Sequence, residues 1–297
     1  MPPQIQAFFD EPTNTVTYLL GDPATRKAAI IDPVLDWDYR AGTADTRSAE
    51  AVLAAVREGA WQVTHILETH AHADHLSAAP FLKARTGAPI GIGARITEVQ
   101  RIFRPVFNLQ DIAPDGGDFD ILFEDGATFQ IGRLNVEVMH LPGHTPACIA
   151  YAVHTQSEAG DVFVGDTLFM HDYGTARCDF PGGDARTLYR SIQRLLALPA
   201  ETRLWMCHDY KAQGRDSFAW QSNVSEQRAH NPHVKDGATE EEFVAFRTQR
   251  DAKLAPPTLL LPAIQVNVRA GRFPPAESNG VRYLKVPVTA APATILE

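Results

Sequence analysis

The sequence predicts an α+β protein of two β-sheets covered by helices, carrying a transition-metal centre. Three observations lead there. Apolar strand patterns with helices interspersed occur in both halves of the chain, which favours two covered sheets over one doubly wound sheet. The stretch T-H-A-H-A-D-H, Thr69 to His75, packs three imidazoles and one carboxylate into a loop directly behind an apolar run. Three later ligand-type residues, His144, Asp166 and His208, each stand at the end of a predicted strand.

In chain order, V-T-Y-L-L and A-A-I-I-D-P-V flank the polar G-D-P-A-T-R-K and read as two strands around a turn. Residues 48–58 place Val52 and Val56 at helical spacing, with Gly59 where a C-terminal cap belongs. A strand follows over Val63 to Glu68, then the Thr69 to His75 loop, then a helix from Leu76 to Arg85 closed by Gly87. I-G-I-G, a helix around Ala94 to Phe103 and a connection rich in proline, glycine and aspartate lead through Gly126. Strands are expected near Ala127 to Ile131, Leu134 to His140, Cys148 to Val153 and Val162 to Gly165. Ala185 to Leu198 is a helix because Leu188, Ile192, Leu195 and Leu196 share one face, and R-L-W-M-C makes another strand. Trp220 to His230 reads as helical, and Thr239 with Glu242 offers a capping box before F-V-A-F. No fixed-period repeat is present, and the Pro-rich tail from Pro256 on reads as irregular.

Composition narrows the function classes. At 297 residues, 44% hydrophobic and 21% charged, the chain has the balance of a soluble globular protein with a large core. A net charge of -9 argues against a nucleic-acid partner, because phosphate binding normally comes with a basic surface. No apolar run reaches the roughly 18 residues of a membrane span, and M-P-P-Q-I-Q-A-F-F-D-E lacks a basic region followed by an apolar one. A small-molecule substrate and a cytoplasmic location are therefore expected. Cys148, Cys178 and Cys207 are odd in number and far apart, which fits neither a disulfide framework nor a thiolate zinc knuckle. Asn223-Val224-Ser225 matches a glycosylation acceptor by chance in a cytoplasmic chain.

Neutral imidazole with carboxylate suits zinc, iron and related ions, whereas calcium or magnesium sites are mostly oxygen. Alternating loop positions let His70 and His72 converge while Asp74 and His75 face the next position. Without a cation, four titratable groups in one loop would repel or desolvate one another. Gly143 and Gly165, just before two of the later ligand-type residues, allow close backbone approach or a positive φ. The isolated histidines His65, His140, His154, His171, His230 and His233 read as surface or hydrogen-bonded residues.

T-H-A-H-A-D-H, followed by P-G-H-T, G-D-T-L-F and C-H-D-Y, resembles the metallo-β-lactamase superfamily in motif order over residues 1 to about 210. The resemblance implies an αββα sandwich with metal at the edge between the sheets. We expect a catalytic domain over residues 1–255; the C-terminal Pro-rich extension over 256–297 lies outside the segments that carry the resemblance and is expected to pack on the main body or on a neighbouring subunit. In one branch, similar to the thioester hydrolase glyoxalase II, His70, His72 and His144 would hold one zinc, Asp74, His75 and His208 a second, and Asp166 would bridge. A hydroxide between the ions, its pKa lowered to about 7, would attack a glutathione thioester.

The other branch is the persulfide dioxygenases, which the flanking sequence resembles more. G-T-A-R-C-D-F-P-G-G-D stands where that family carries its G-R-T-D-F-like segment, and S-E-Q-R-A-H-N-P-H follows in the family's order. The likeness extends to the bacterial β-lactamase hydrolase-like members. It implies one ferrous ion per chain held by His70, His144 and Asp166, a facial triad that leaves positions open for substrate and dioxygen. His72, Asp74, His75 and His208 would then stand outside the iron's coordination sphere, fixing water and ligand orientation. The implied reaction converts glutathione persulfide, dioxygen and water to sulfite and glutathione, and a homodimer is implied. A tripeptide with two carboxylates needs cationic and hydrogen-bonding contacts, for which Arg177 and then Tyr210 are the candidates, with Lys211 and Arg215 less distinguished. Cys178, in the same loop as Arg177, reads either as a redox-sensitive thiol or as a buried inert one.

Overall fold

The computed structural model describes residues 2–154 and 160–288. Strands and helices are numbered in chain order. One sheet joins, side by side, β1 (Gln4–Asp10), β2 (Thr15–Asp22), β3 (Lys27–Ile31), β6 (Gln62–Leu67), β8 (Ile90–Gly93) and β9 (Ile121–Phe123). A second joins β10 (Thr128–Ile131), β11 (Leu134–His140), β12 (Ile149–His154), β13 (Asp161–Phe163), β14 (Arg203–Trp205) and β15 (Gln221–Asn223). A small third sheet orders β5 (Thr43–Asp45), β4 (Val34–Asp38) and β7 (Leu76–Ser77).

The period-2 alternation of a strand sends successive side chains to opposite faces. In β2, Tyr18 and Leu20 meet Val136, Tyr151, Phe163 and Trp205 of the second sheet, while Leu19 points the other way. That outer face of the first sheet is covered by α1 (Arg47–Glu58), α2 (Ala79–Thr86), α3 (Ile96–Val106) and α7 (Leu260–Asn267). The outer face of the second is covered by α4 (Ala185–Leu196), α5 (Val224–His230) and α6 (Glu240–Asp251) through Leu188, Ile192, Val224 and Phe243. Three apolar layers therefore alternate with two sheets, and the αββα sandwich expected from the motifs is the architecture found. Among the described residues, no helix is long and apolar enough to cross a membrane.

Several local expectations change. Q-I-Q-A-F-F-D forms the unpredicted edge strand β1, paired antiparallel with β2. Leu76 and Ser77 pair with β4 instead of opening a helix, and α2 starts two residues later with a proline in its first turn. Only Val224 onward of the segment 220–230 is helical: Gln221–Asn223 extends the second sheet, and Asn223 caps α5 with a full capping box to Glu226. The Thr239/Glu242 box before α6 forms as expected. Gly59 sits at the C-cap of α1 with a right-handed φ of -80°, and Ala60 takes the positive φ instead. The tail is not wholly irregular, since apolar L-L-P-A-I-Q-V-N folds as α7 and buries Ala263, Ile264 and Val266 against the first sheet's helices. Residues 289–297 of that extension lie outside the described residues.

Candidate metal centre

The liganding loop leaves the C-terminal end of β6, and the later residues follow the ends of β11, β13 and β14. Backbone geometry brings these ends together. Gly143 has φ 141°, and a Cβ there would lie 2.3 Å from the Leu188 backbone; Gly165 has φ 52°, and a Cβ there would lie 2.8 Å from Thr69. No larger residue lets the His144 and Asp166 turns pack this closely. His208 is drawn to the first sheet by an isolated bridge with Thr15, by Val16 N–H donating to the Cys207 carbonyl at 2.8 Å, and by Asp209 N–H donating to the Asn14 carbonyl at 3.1 Å.

All seven predicted positions converge. His70, His144 and Asp166 offer ligand atoms within 4.8 Å of one another, and His72, Asp74 and His75 do the same. Asp166 stands between the groups: one carboxylate oxygen is 3.6 Å from His144 Nε2 and 4.0 Å from His70 Nε2, the other 3.3 Å from His208 Nε2. Asp74 lies 3.2 Å from His208 Nε2 and 3.7 Å from His75 Nδ1.

Each imidazole is held by one nitrogen and presents the other. His144 Nδ1 donates to the Arg177 carbonyl at 2.7 Å, and His208 Nδ1 to the Asn14 carbonyl at 3.2 Å. His70 Nδ1 lies 3.0 Å from Thr69 Oγ1, which itself donates to Asp32 at 2.9 Å. His75 Nδ1 meets Thr15 Oγ1 at 3.4 Å. His72 is reversed, its Nε2 meeting Asp32 at 3.0 Å and Glu68 at 3.4 Å. The opposite nitrogens of His70, His72, His75 and His208, and one oxygen of Asp166, are buried without a hydrogen-bond partner. Buried polar atoms normally find partners, so orphans gathered in these two adjoining groups fit metal ligation.

Protonation favours the same use. Burial, aided by His72 and His144, holds His70 well below the ordinary imidazole range, and burial likewise lowers His75. Burial opposes charge on Asp74, but His208 and His75 overcome it and hold the carboxyl well below its usual range. Neutral rings beside an ionised carboxylate are the state that binds a cation. Burial also opposes charge on His72, yet Asp32 and Glu68 raise that ring well above its ordinary value. With Nε2–H donated to Asp32, His72 Nδ1 becomes a ligand only when a metal displaces the proton that the two acids stabilise on the ring.

The cleft over the centre has a volume of about 1030 Å³, with Asp74, His144 and Asp166 on its floor. Its walls include Trp37 and Tyr39, the aromatic group Phe169, Tyr173 and Tyr210, and Arg177 with Phe180. Tyr210 stacks on His208 with ring centroids 5.7 Å apart. The Arg177 guanidinium lines the cleft but is paired with both oxygens of Asp179, at 2.6 and 2.7 Å, and donates to the Ala255 carbonyl at 2.7 Å. Its backbone carbonyl, which orients His144, is a role the sequence did not suggest. Arg215 is committed to Asp209 and Asp172, and Lys211 lies 4.0 Å over the Phe218 ring.

Thr15, Asp32 and Glu68 were also missed. The two acids had a signal, since each ends an apolar strand and ionisable residues are rarely buried there without a task. Thr15 carried none.

The cysteines resolve to the inert alternative. Cys178 is 7% exposed, and burial and the neighbouring Asp251 push its thiol up to about 12; burial does the same for Cys148. At pH 8 such a thiol is ionised in about one molecule in 10⁴. Native protein is therefore expected to show no fast thiol titration with a disulfide reagent at pH 8, and all three cysteines should react after denaturation. Rapid native labelling of Cys178 would contradict this reading.

Fold and centre together define a metal-binding αββα sandwich. The chain belongs to the metallo-beta-lactamase superfamily, whose sequence profile matches residues 10–208. It is 52% identical over 96% of its length to a Burkholderia pseudomallei protein named "probable metallo-hydrolase", covering 99% of that protein. It is 30% identical over 90% of its length to human mitochondrial persulfide dioxygenase ETHE1, covering 88% of that chain. Its structure matches that of ETHE1 from Myxococcus xanthus with a TM-score of 0.71 and 31% identity, covering 91% of this chain and 100% of that one.

Proposed function

We propose that the chain is a persulfide dioxygenase working at one non-haem iron held by His70, His144 and Asp166. The observation that carries this reading is the convergence of those three side chains at the base of the cleft, which His144 and Asp166 line and His70 backs from beneath, each an independent anchor from a different strand end. The likeness to the human and Myxococcus ETHE1 proteins adds support. When bound, ferrous iron supplies adjacent open positions for a sulfur ligand and dioxygen.

The reaction, glutathione persulfide plus dioxygen plus water giving glutathione, sulfite and two protons, asks mainly for positioning from the protein. The Arg177 carbonyl and Thr69 hold the His144 and His70 rings so that both lone pairs face the same point. The aromatic group Phe169, Tyr173 and Tyr210 packs an apolar wall that keeps water from the terminal sulfur. Tyr210 and Arg177 contact the tripeptide. Arg40 and Arg250 line the same cleft with no ion pair among the described residues, and they add cations for its carboxylates.

A second reading has its own observation. Asp74 and His208, 3.2 Å apart with Asp166 3.3 Å away, form a second ligand cluster of the kind a dinuclear zinc hydrolase of glutathione thioesters uses. The resemblance to the Burkholderia "probable metallo-hydrolase" is consistent with it. Oxygen uptake with sulfite release from glutathione persulfide, run beside thioester hydrolysis on the same iron-loaded protein, separates the two. Uptake stoichiometric with sulfite is the expected result, and thioester hydrolysis without uptake overturns the dioxygenase reading.

A further inference from the structure

We propose that Asn267 of α7 is a positioning residue for the metal centre, so that the Pro-rich C-terminal extension sets the geometry of the liganding loop. The proposal rests on the reading that Thr69–His75 holds a metal, and it holds for iron or zinc alike. Asn267 is 4% exposed and uses its whole amide on that loop. Its Nδ2 donates to the carbonyls of His72 and His75, each at 2.8 Å, and its Oδ1 accepts from Ser77 N–H at 2.9 Å. Those partners bracket the segment carrying His72, Asp74 and His75. Loop backbone that leaves a sheet lacks the ladder bonds that fix a strand, and buried carbonyls without partners are costly. One side chain supplies the missing bonds at three points and prevents the loop from rotating its imidazoles out of line.

The chain just past Asn267 is itself fixed. Arg269 pairs with both oxygens of Asp111, at 2.8 and 2.9 Å, and Gln100 Nε2 donates to the Val268 carbonyl at 3.0 Å. A Cβ at Gly271 would lie 2.7 Å from the Ser77 carbonyl, so the turn after the helix rests directly on β7, where the liganding loop ends. Asn267 therefore transmits a rigid support, much as an outer-shell residue holds a ligating histidine.

Cobalt(II) is the probe, because its visible absorption reports coordination geometry without any turnover. Asn267→Ala is expected to bind cobalt at least about tenfold more weakly than wild type and to shift the visible bands. Arg228→Ala, which removes an exposed ion pair with Asp236 at the end of α5 and touches neither Asn267 nor the liganding loop, is the control, and it is expected to leave cobalt affinity within twofold and the bands unmoved. If wild type itself binds no cobalt, the metal reading fails. If wild type binds and Asn267→Ala matches it in affinity and spectrum, the positioning role alone is overturned. Should Asn267→Ala not fold, Asn267→Gln, which keeps the amide one methylene further out, is measured against the same outcomes. Failure of both variants to fold with cobalt present also overturns the proposal, since Asn267 would then serve the fold at large.

Discussion

Asp166→Ala is expected to keep its fold and to lose metal affinity and turnover by at least about 100-fold. The carboxylate is the one group that faces both ligand clusters, reaching His144 and His70 with one oxygen and His208 with the other. One of those oxygens is buried with no hydrogen-bond partner, which is what a metal ligand looks like before the ion is counted. Removing it takes the carboxylate from the group that His70 and His144 form and leaves Asp74, on the far side beside His75 and His208, as the remaining anion of the centre. The check is metal content after dialysis, with circular dichroism as the fold control. Wild-type metal content and turnover in Asp166→Ala would place this residue outside the centre.

Asp32→Ala carries the largest expected cost in stability, about 3–5 kcal/mol, with metal affinity falling about 10–100-fold. Asp32 is 2% exposed and receives the Thr69 backbone N–H at 2.7 Å, the Thr69 hydroxyl at 2.9 Å and His72 Nε2 at 3.0 Å. Through Thr69 it also orders His70, so one carboxylate stands behind two of the predicted ligands. The truncation strands a buried imidazole and a buried amide at once, the costly way to break a buried pair. Glu68 does not compensate, because burial raises its carboxyl pKa and its hydrogen bond from Ser77 already engages it. Urea unfolding of metal-free protein measures the stability term, and a loss below about 1 kcal/mol would contradict the account.

Legibility in the sequence followed physical range. The convergence of the seven singled-out positions was legible because they are clustered in one loop or stand at strand ends, unlike the six isolated histidines. Helix α4 was legible from its one-sided apolar spacing, and α6 from a cap written within four residues. β1 was not, because its edge position leaves a weak alternation that only pairing with β2 makes a strand. Helix α7 was hidden by the prolines around it, and its reason for being helical is tertiary burial in the apolar layer outside the first sheet, beside β7. Asn267 and Thr15 reach the liganding loop across about 190 and 60 residues of chain respectively, through side-chain hydrogen bonds that no local pattern encodes. Arg177 was singled out for its guanidinium, whereas the structure gives its carbonyl a defined task; a backbone group leaves no mark in a sequence.

The most direct test of the central claim is the metal stoichiometry of protein purified without oxygen from cells supplied with both iron and zinc. The account predicts one iron per chain, with oxygen uptake on glutathione persulfide rising in proportion to iron content. Two zinc ions per chain in the fraction that carries activity, with uptake independent of iron, would contradict it.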